Sequence, residues 1–207
     1  MPNQGTVGLR ATSTGAAADI ALSRDAAQLV MLAHHSNIEA ARQARCFSAC
    51  TPAAGVAPGT ALSTTPPWTL YNPQGSGIAC ALLGVSLGYI SGTLGKGALV
   101  LGGNPSVTQA AQTGGTALTP QCTYLGYTGT MAQAFQGATL AAAPTLLRPL
   151  FTLEALVGAG DTALQLTEWL NGTWLLLPGC SLSLQAIAAA GTSPLVLLSG
   201  WWEEVAI

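Results

Sequence analysis

The sequence predicts an all-β fold, a jelly-roll-like antiparallel β-sandwich with an N-terminal arm that contains a short helix. Three observations predict it. From residue 51 onward, short apolar or alternating runs recur at intervals of 8–20 residues. Turn residues separate them, with 25 Gly and 12 Pro in 207 residues. The stretch 168–207 reads as three strands whose apolar faces one strand pair cannot bury, so a second sheet is required. Roughly eight or nine strands at such spacing suit a sandwich, and eight in two sheets suit a jelly roll.

The first 50 residues differ from the rest. They hold seven of the fourteen charged side chains and few β-branched residues. Residues 16–33 are rich in Ala and Leu, but their apolar spacing is ragged. Ser36-Asn37-Ile38-Glu39 fits a capping box and predicts a helix from Asn37 to about Ala44. Large apolar residues are too few for a separate core. The expected domains are therefore an arm over 1–50 and a sandwich over 51–207. The arm is expected to lie on a neighbouring subunit. Leu29, Val30 and Leu32 would be its apolar contacts, and Arg42 and Arg45 its partners for carboxylates.

Residues 51–67 form a loop, because Pro52, Gly55, Pro58, Gly59, Pro66 and Pro67 exclude a helix. Trp68–Tyr71 is a strand. Residues 78–90 are the longest strand, and the turn 91–97 returns the chain as a hairpin partner over 98–101. Residues 106–121 read as a surface loop, followed by strands at 122–127 and 131–136. Residues 146–153 form a strand in which Pro149 marks an edge or a bulge. Residues 158–166 are a loop. Gly59-Thr-Ala-Leu62 recurs as Gly115-Thr-Ala-Leu118, each a lead-in to a proline and a strand.

In the last forty residues, Asn171-Gly172, Pro178-Gly179 and 191–194 are turns. Cys180, Leu182, Leu184 and Ala186 alternate with Ser181, Ser183 and Gln185, the period of a half-buried strand. Residues 195–198 are apolar on both faces, which implies cover on both.

Charged residues make up only 7% of the chain, against about a quarter in a usual soluble domain. Between Cys46 and Leu147 the only charge is Lys96. So little charge favours a surface covered by copies of the chain or by partners. A homo-oligomer is expected, most simply a trimer, with Trp201 and Trp202 as candidate contact residues. A net charge of −2 offers no field for direct nucleic-acid binding. No apolar run has the ~18–20 residues of a membrane helix. The first residues lack a hydrophobic signal core, so synthesis in the cytoplasm is expected. The five cysteines include no CxxC pair and read as small buried hydrophobes.

No enzyme chemistry is expected, and no catalytic residue, metal or cofactor is assigned. His34 and His35, being adjacent, point about 100° apart on a helix and share no metal easily. Cys46-x3-Cys50 without a second close pair is a poor zinc pattern. Glu203 and Glu204 face opposite sides of an extended strand, one inward and one outward. Asp161, Glu154 and Glu168 are isolated, and no GxSxG occurs. The glycine-rich run 92–97 holds Lys96 but leads into a strand, which is a hairpin turn and not a phosphate loop. Trp169, Trp174, Trp201 and Trp202 read as core or interface aromatics before a sugar platform.

The run NGTWLLLPGCSLSLQAIAAAGTSPLVLLSGWWEEV resembles the ending of small structural proteins of tailed bacteriophages, with their PG-x-x-L-S-L…A-A-A-G-T-S-P-L-V…W-E-E finish. TLYNPQGSGIACALLGVSLGYISGTLGKGALVLGGN is similar to the same group, and the likeness spans about 59–205. The resemblance implies a trimeric jelly-roll protein of the virion, made in the host cytoplasm. It would sit on the capsid surface as a decoration or cement protein, bound to the major capsid protein. The alternative it leaves is a host-receptor or glycan-binding module of a head fibre or tail.

Overall fold

Turn residues close most of the strands, and the pairing within the two main sheets is long-range. The computed structural model describes residues 37–106, 111–155 and 165–207, with the backbone of Arg10–Ala11 and Ala17–Ala18. Its elements are β1 (Arg10–Ala11), β2 (Ala17–Ala18), α1 (Ile38–Arg42), β3 (Cys46–Cys50), β4 (Trp68–Tyr71), β5 (Ile78–Ser91), β6 (Gly97–Asn104), β7 (Thr116–Leu118), β8 (Gln121–Cys122), β9 (Gln133–Gln136), β10 (Thr145–Leu153), β11 (Gln165–Leu176), β12 (Ser181–Ile187) and β13 (Leu195–Ala206). Residues 1–38 form one unit, in which β1 and β2 make a short antiparallel ribbon. Residues 39–207 form the other.

That second unit is an all-β sandwich of two antiparallel sheets. One has the order β10-β6-β12-β4-β9-β7, the other β11-β5-β13-β3-β8. Leaving aside the short β7, β8 and β9, consecutive strands alternate between the sheets except at β6 and β10, which pair within one sheet. The first, β3, lies beside the last, β13, and β4 lies beside β12. Among the described residues, no helix is long and apolar enough to cross a membrane.

Several expectations need correction. The arm does not run to residue 50, because β3 is an interior strand between β13 and β8. Phe47 and Ala49 point inward and are buried, a signal hidden by the charged residues just before them. The helix is shorter than expected, and the Ser36 half of its capping box lies outside the described residues. The β5–β6 hairpin does not form. β5 pairs with β11 and β13, and β6 with β10 and β12, so residues 92–96 carry the chain from one sheet to the other. That crossing is held against the β12–β13 connection, where Thr93 N donates to Thr192 O at 3.0 Å. The strand expected at 122–127 stops at Cys122, and Tyr127 N closes a turn onto Tyr124 O at 3.1 Å. Asn171-Gly172 does not separate two strands. With φ of 50° and 72°, they form an excursion inside β11. The expected surface loop contains the edge strand β7.

The core lies between the sheets. Trp68, Leu70, Leu82, Leu87, Leu99, Leu101, Leu184, Leu198 and Trp202 have at most 1% exposure. Burying each such side chain is worth about 1.5–3 kcal/mol. β5 supplies Cys80 and Leu82 to this core, then Val85 and Leu87. The change from even to odd positions comes from a bulge: Trp201 is opposite Gly84, but Trp202 is opposite Leu82. Leu83 therefore points to the outer face, where it joins Ala40 and Cys46 in a second small cluster. Gly200 leaves room in the core for Trp68, since a Cβ there would lie 2.5 Å from the indole. The Trp68 Nε1–H donates to Ala49 O at 3.2 Å.

β12 is buried on both faces, against the half-buried reading. Its polar face is covered by residues 58–65: Ala186 N donates to Pro58 O, and Gln185 Oε1 accepts from Ser63 N at 2.8 Å.

Candidate interaction surface

Along β13, alternate side chains face the core, so Trp201 and Trp202 part company. Trp202 has no exposure and stacks on Phe47, with ring centroids 6.3 Å apart. It is a core residue and not the contact residue expected. Trp201 lies on the outer face, half-buried, with its ring over Gly84. It meets Trp169 edge-to-face at 5.1 Å. Glu204 points inward and Glu203 outward, as their parity required.

Both expected arginines are engaged within the chain. Arg45 pairs with Glu203 at 3.0 Å, and the exposed Arg42 with Glu39 at 3.4 Å. Leu29, Val30 and Leu32 lie outside the described residues.

Two exposed apolar regions were not anticipated. The first is at the β10/β11 edge, where Leu146, Trp169, Leu175 and Leu177 are all exposed. Alternation could have located part of it: within 174–177, Leu176 is buried, so Leu175 and Leu177 must face out. The ion pair Arg148–Glu168 links β10 to β11 beside this region. Here Leu147, Trp174, Leu177 and Leu182 help line a surface cavity of about 230 Å³. Gly103 admits Leu147, whose Cδ1 would lie 2.5 Å from a Cβ at that position. The cavity lining has no charged residue.

The second region is the loop 123–131, which exposes Tyr124, Leu125, Tyr127 and Met131. Leu125 is 86% exposed, the highest value among the large apolar side chains described. The loop is held at both ends. Thr123 N donates to Cys46 O at 2.9 Å. Its other end closes on Glu204, which is only 7% exposed. That carboxylate accepts from Thr130 Oγ1–H at 2.5 Å and from Met131 N and Ala132 N, both at 3.1 Å. The Trp202 Nε1–H adds a long contact at 3.5 Å.

The chain's thiols are all free, and four of the five are buried. Cys50 is exposed, against expectation. Burial pushes the Cys46 thiol up to about 11, with Glu203 adding to the effect and Arg45 opposing it. Burial and Glu204 push Cys80 upward as well. Such thiols are held away from the reactive thiolate form. Among the described residues, no cluster of His, Cys, Asp and Glu could hold a metal ion.

No protein-family model matches this chain, and neither a curated protein nor a solved structure matches it.

Proposed function

We propose that this chain is a structural virion protein of a tailed bacteriophage, a capsid decoration or cement protein. It binds the outer capsid surface as a homo-oligomer and holds neighbouring copies of the major capsid protein together. The phage assignment rests on the sequence resemblance. The observation that carries the structural role is the pair of exposed apolar regions on a sandwich with almost no surface charge. Large apolar side chains left in water at two defined places mark surfaces meant to be covered. The strand order also supports the jelly roll: without the short β7, β8 and β9, the two sheets reduce to the four-strand orders β3-β13-β5-β11 and β4-β12-β6-β10.

The exposed Tyr124 and Tyr127 favour a second reading, a glycan-binding module. Against it, the carboxylate bonded to their loop, Glu204, is buried beneath it and offers sugars no acceptor. The test is to add purified protein to phage heads stripped of it. Co-sedimentation at a fixed stoichiometry, with a rise in the heat resistance of the shell, is expected. Protein that remains in the supernatant overturns the reading.

A further inference from the structure

The two apolar regions lie at opposite ends of the strand order. Loop 123–131 follows β8, the last strand of the five-stranded sheet, and leads into β9, next to last in the six-stranded sheet. The cavity is lined from β11, the first strand of the five-stranded sheet, and from β10, β6 and β12 at the start of the other. One side of the sandwich thus carries an apolar knob and the other an apolar hole. A surface of this kind is not self-complementary across a twofold axis. It matches a second copy head to tail, and a head-to-tail contact closes into a ring when its rotation permits.

We propose that loop 123–131 of one copy seats Leu125 in the Leu147–Trp174–Leu177–Leu182 cavity of the next. The inference rests on the reading that the chain self-associates, and is independent of its place in a virion. Four observations favour a second copy as the occupant. The knob and the cavity lining both lack charge, so neither has an ion to desolvate. The cavity, at about 230 Å³, is below the ~300–1,000 Å³ of small-molecule sites and suits one or two side chains. The knob is preorganised, because Cys46 O and Glu204 fix the loop at both ends, which lowers the ordering cost of docking. Its two tyrosines and two glycines are of the types enriched in recognition loops. Its four exposed side chains present roughly 400 Å² of apolar surface. With the matching area on the partner this reaches about 800 Å², at the weak end for specific contacts. A single contact would therefore be transient. A closed ring gives every copy two contacts, and its stability comes from closure.

The experiment uses two surface variants of the full chain, Leu125→Asp in the knob and Leu175→Asp at the cavity rim. Circular dichroism and tryptophan emission check that each is folded, and Leu125→Ser and Leu175→Ser replace either one that is not. Sedimentation velocity of the wild type is expected to show an oligomer, and each variant alone a monomer, its association weakened on the order of 100-fold. A one-to-one mixture of the two at 100 µM is expected to form a heterodimer in rapid, concentration-dependent equilibrium, weaker than the wild-type oligomer, because it retains one intact knob and one intact hole but closes no ring (roughly the working range for so weak a contact). A monomeric wild type at 100 µM (roughly the upper working range for so weak a contact) overturns the self-association reading and this contact with it. A wild-type oligomer unchanged in both variants leaves self-association standing and overturns the contact. Two monomeric variants that fail to pair overturn the head-to-tail geometry.

Discussion

Glu204→Gln is the most informative single substitution in the sandwich. The carboxylate takes three close hydrogen bonds, from the Thr130 hydroxyl and from the amides of Met131 and Ala132. No ion pair with a cation forms at Glu204 among the described residues, so these donors are what stabilises the buried charge. Glutamine keeps the size but has one acceptor oxygen. All three donors reach Oε1, and Met131 N reaches Oε2 as well at 3.1 Å, so a glutamine with its oxygen at Oε1 sets its NH₂ group against the Met131 amide. That clash weakens the Met131 bond, at a cost of about 1–2 kcal/mol, and all three bonds lose their charge assistance, about 1 kcal/mol more. A loss of about 2–3 kcal/mol is expected in urea unfolding followed by tryptophan emission, for which Trp202 beside Glu204 is a local reporter. Thr130→Val removes one donor and should cost about 1–2 kcal/mol. The double variant should cost less than the sum, because the two side chains share one bond. If Glu204→Gln loses under 1 kcal/mol, or the two effects add, the carboxylate does not close the loop and the argument for a preorganised knob fails with it.

Four more outcomes are expected. Asn72 is fully buried and donates to Ile78 O and Leu176 O at 2.8 and 2.9 Å, while Ser76 donates to its Oδ1. Asn72→Leu should therefore cost about 2–4 kcal/mol in the same unfolding assay. In Gly84→Ala the new Cβ would come 2.2 Å from the Trp201 ring. The ring must lift, with a loss of about 1–3 kcal/mol and a red shift of its emission. Because the Cys46 thiol is raised to about 11, the unfolded chain loses that proton in alkali before the folded chain does. Its contribution to stability is full below the ordinary thiol value and should fall by about 1.4 kcal/mol per pH unit up to about pH 11, on top of the fall from the other raised thiols, so the total slope is shallower in Cys46→Ala. Finally, a thiol reagent should modify Cys50 first in the native protein, the one exposed cysteine of five. Local burial of its sulfur raises its pKa, so at pH 8 it should react more slowly than a peptide thiol, as measured by mass spectrometry.

What was legible in the sequence was local. Trp68–Tyr71 could be read to the residue because Pro66-Pro67 and Asn72-Pro73 bracket it. Pro149 marked an irregular edge strand, and β10 is an edge strand with register shifts on both sides of that proline. What was not legible depended on distant partners. The polar face of β12 is buried because residues 58–65 cross it, and no periodicity within 181–187 reports that. The run 78–91 lacks clean alternation because a bulge at Leu83 turns its second half over. The hairpin after it failed because Gly-rich turns look alike whether they join neighbours in one sheet or cross to another. The Trp201-Trp202 pair reads as one aromatic patch, but extended neighbours face opposite ways, which leaves only Trp201 outside. Leu125 was hidden because a leucine between Tyr124 and Tyr127 matches a strand as well as a loop tip.

The sheet edges constrain how copies of this sandwich meet. An unpaired strand edge is a template for adding another strand, and all four edges here are blunted against it. β7 and β8 have only three and two residues. β10 contains Pro149, which lacks an N–H, and its pairing with β6 shifts twice. β11 is long, with 12 residues, but breaks its register between Trp169 and Trp174, where five steps along it match two along β5. No edge is therefore both long and regular. Most of the large apolar side chains that remain exposed stand next to these blunted edges: Leu146 on β10, Trp169 and Leu175 on β11, and those of the 123–131 loop after β8. Contacts built from such side chains depend on shape and register, whereas strand addition depends on little more than a free backbone. Under the function proposed above, a chain with so little charge to keep its copies apart has particular need of that distinction, because it would have to meet partners without propagating open-ended sheets. Blunted edges beside apolar side chains meet both requirements at once.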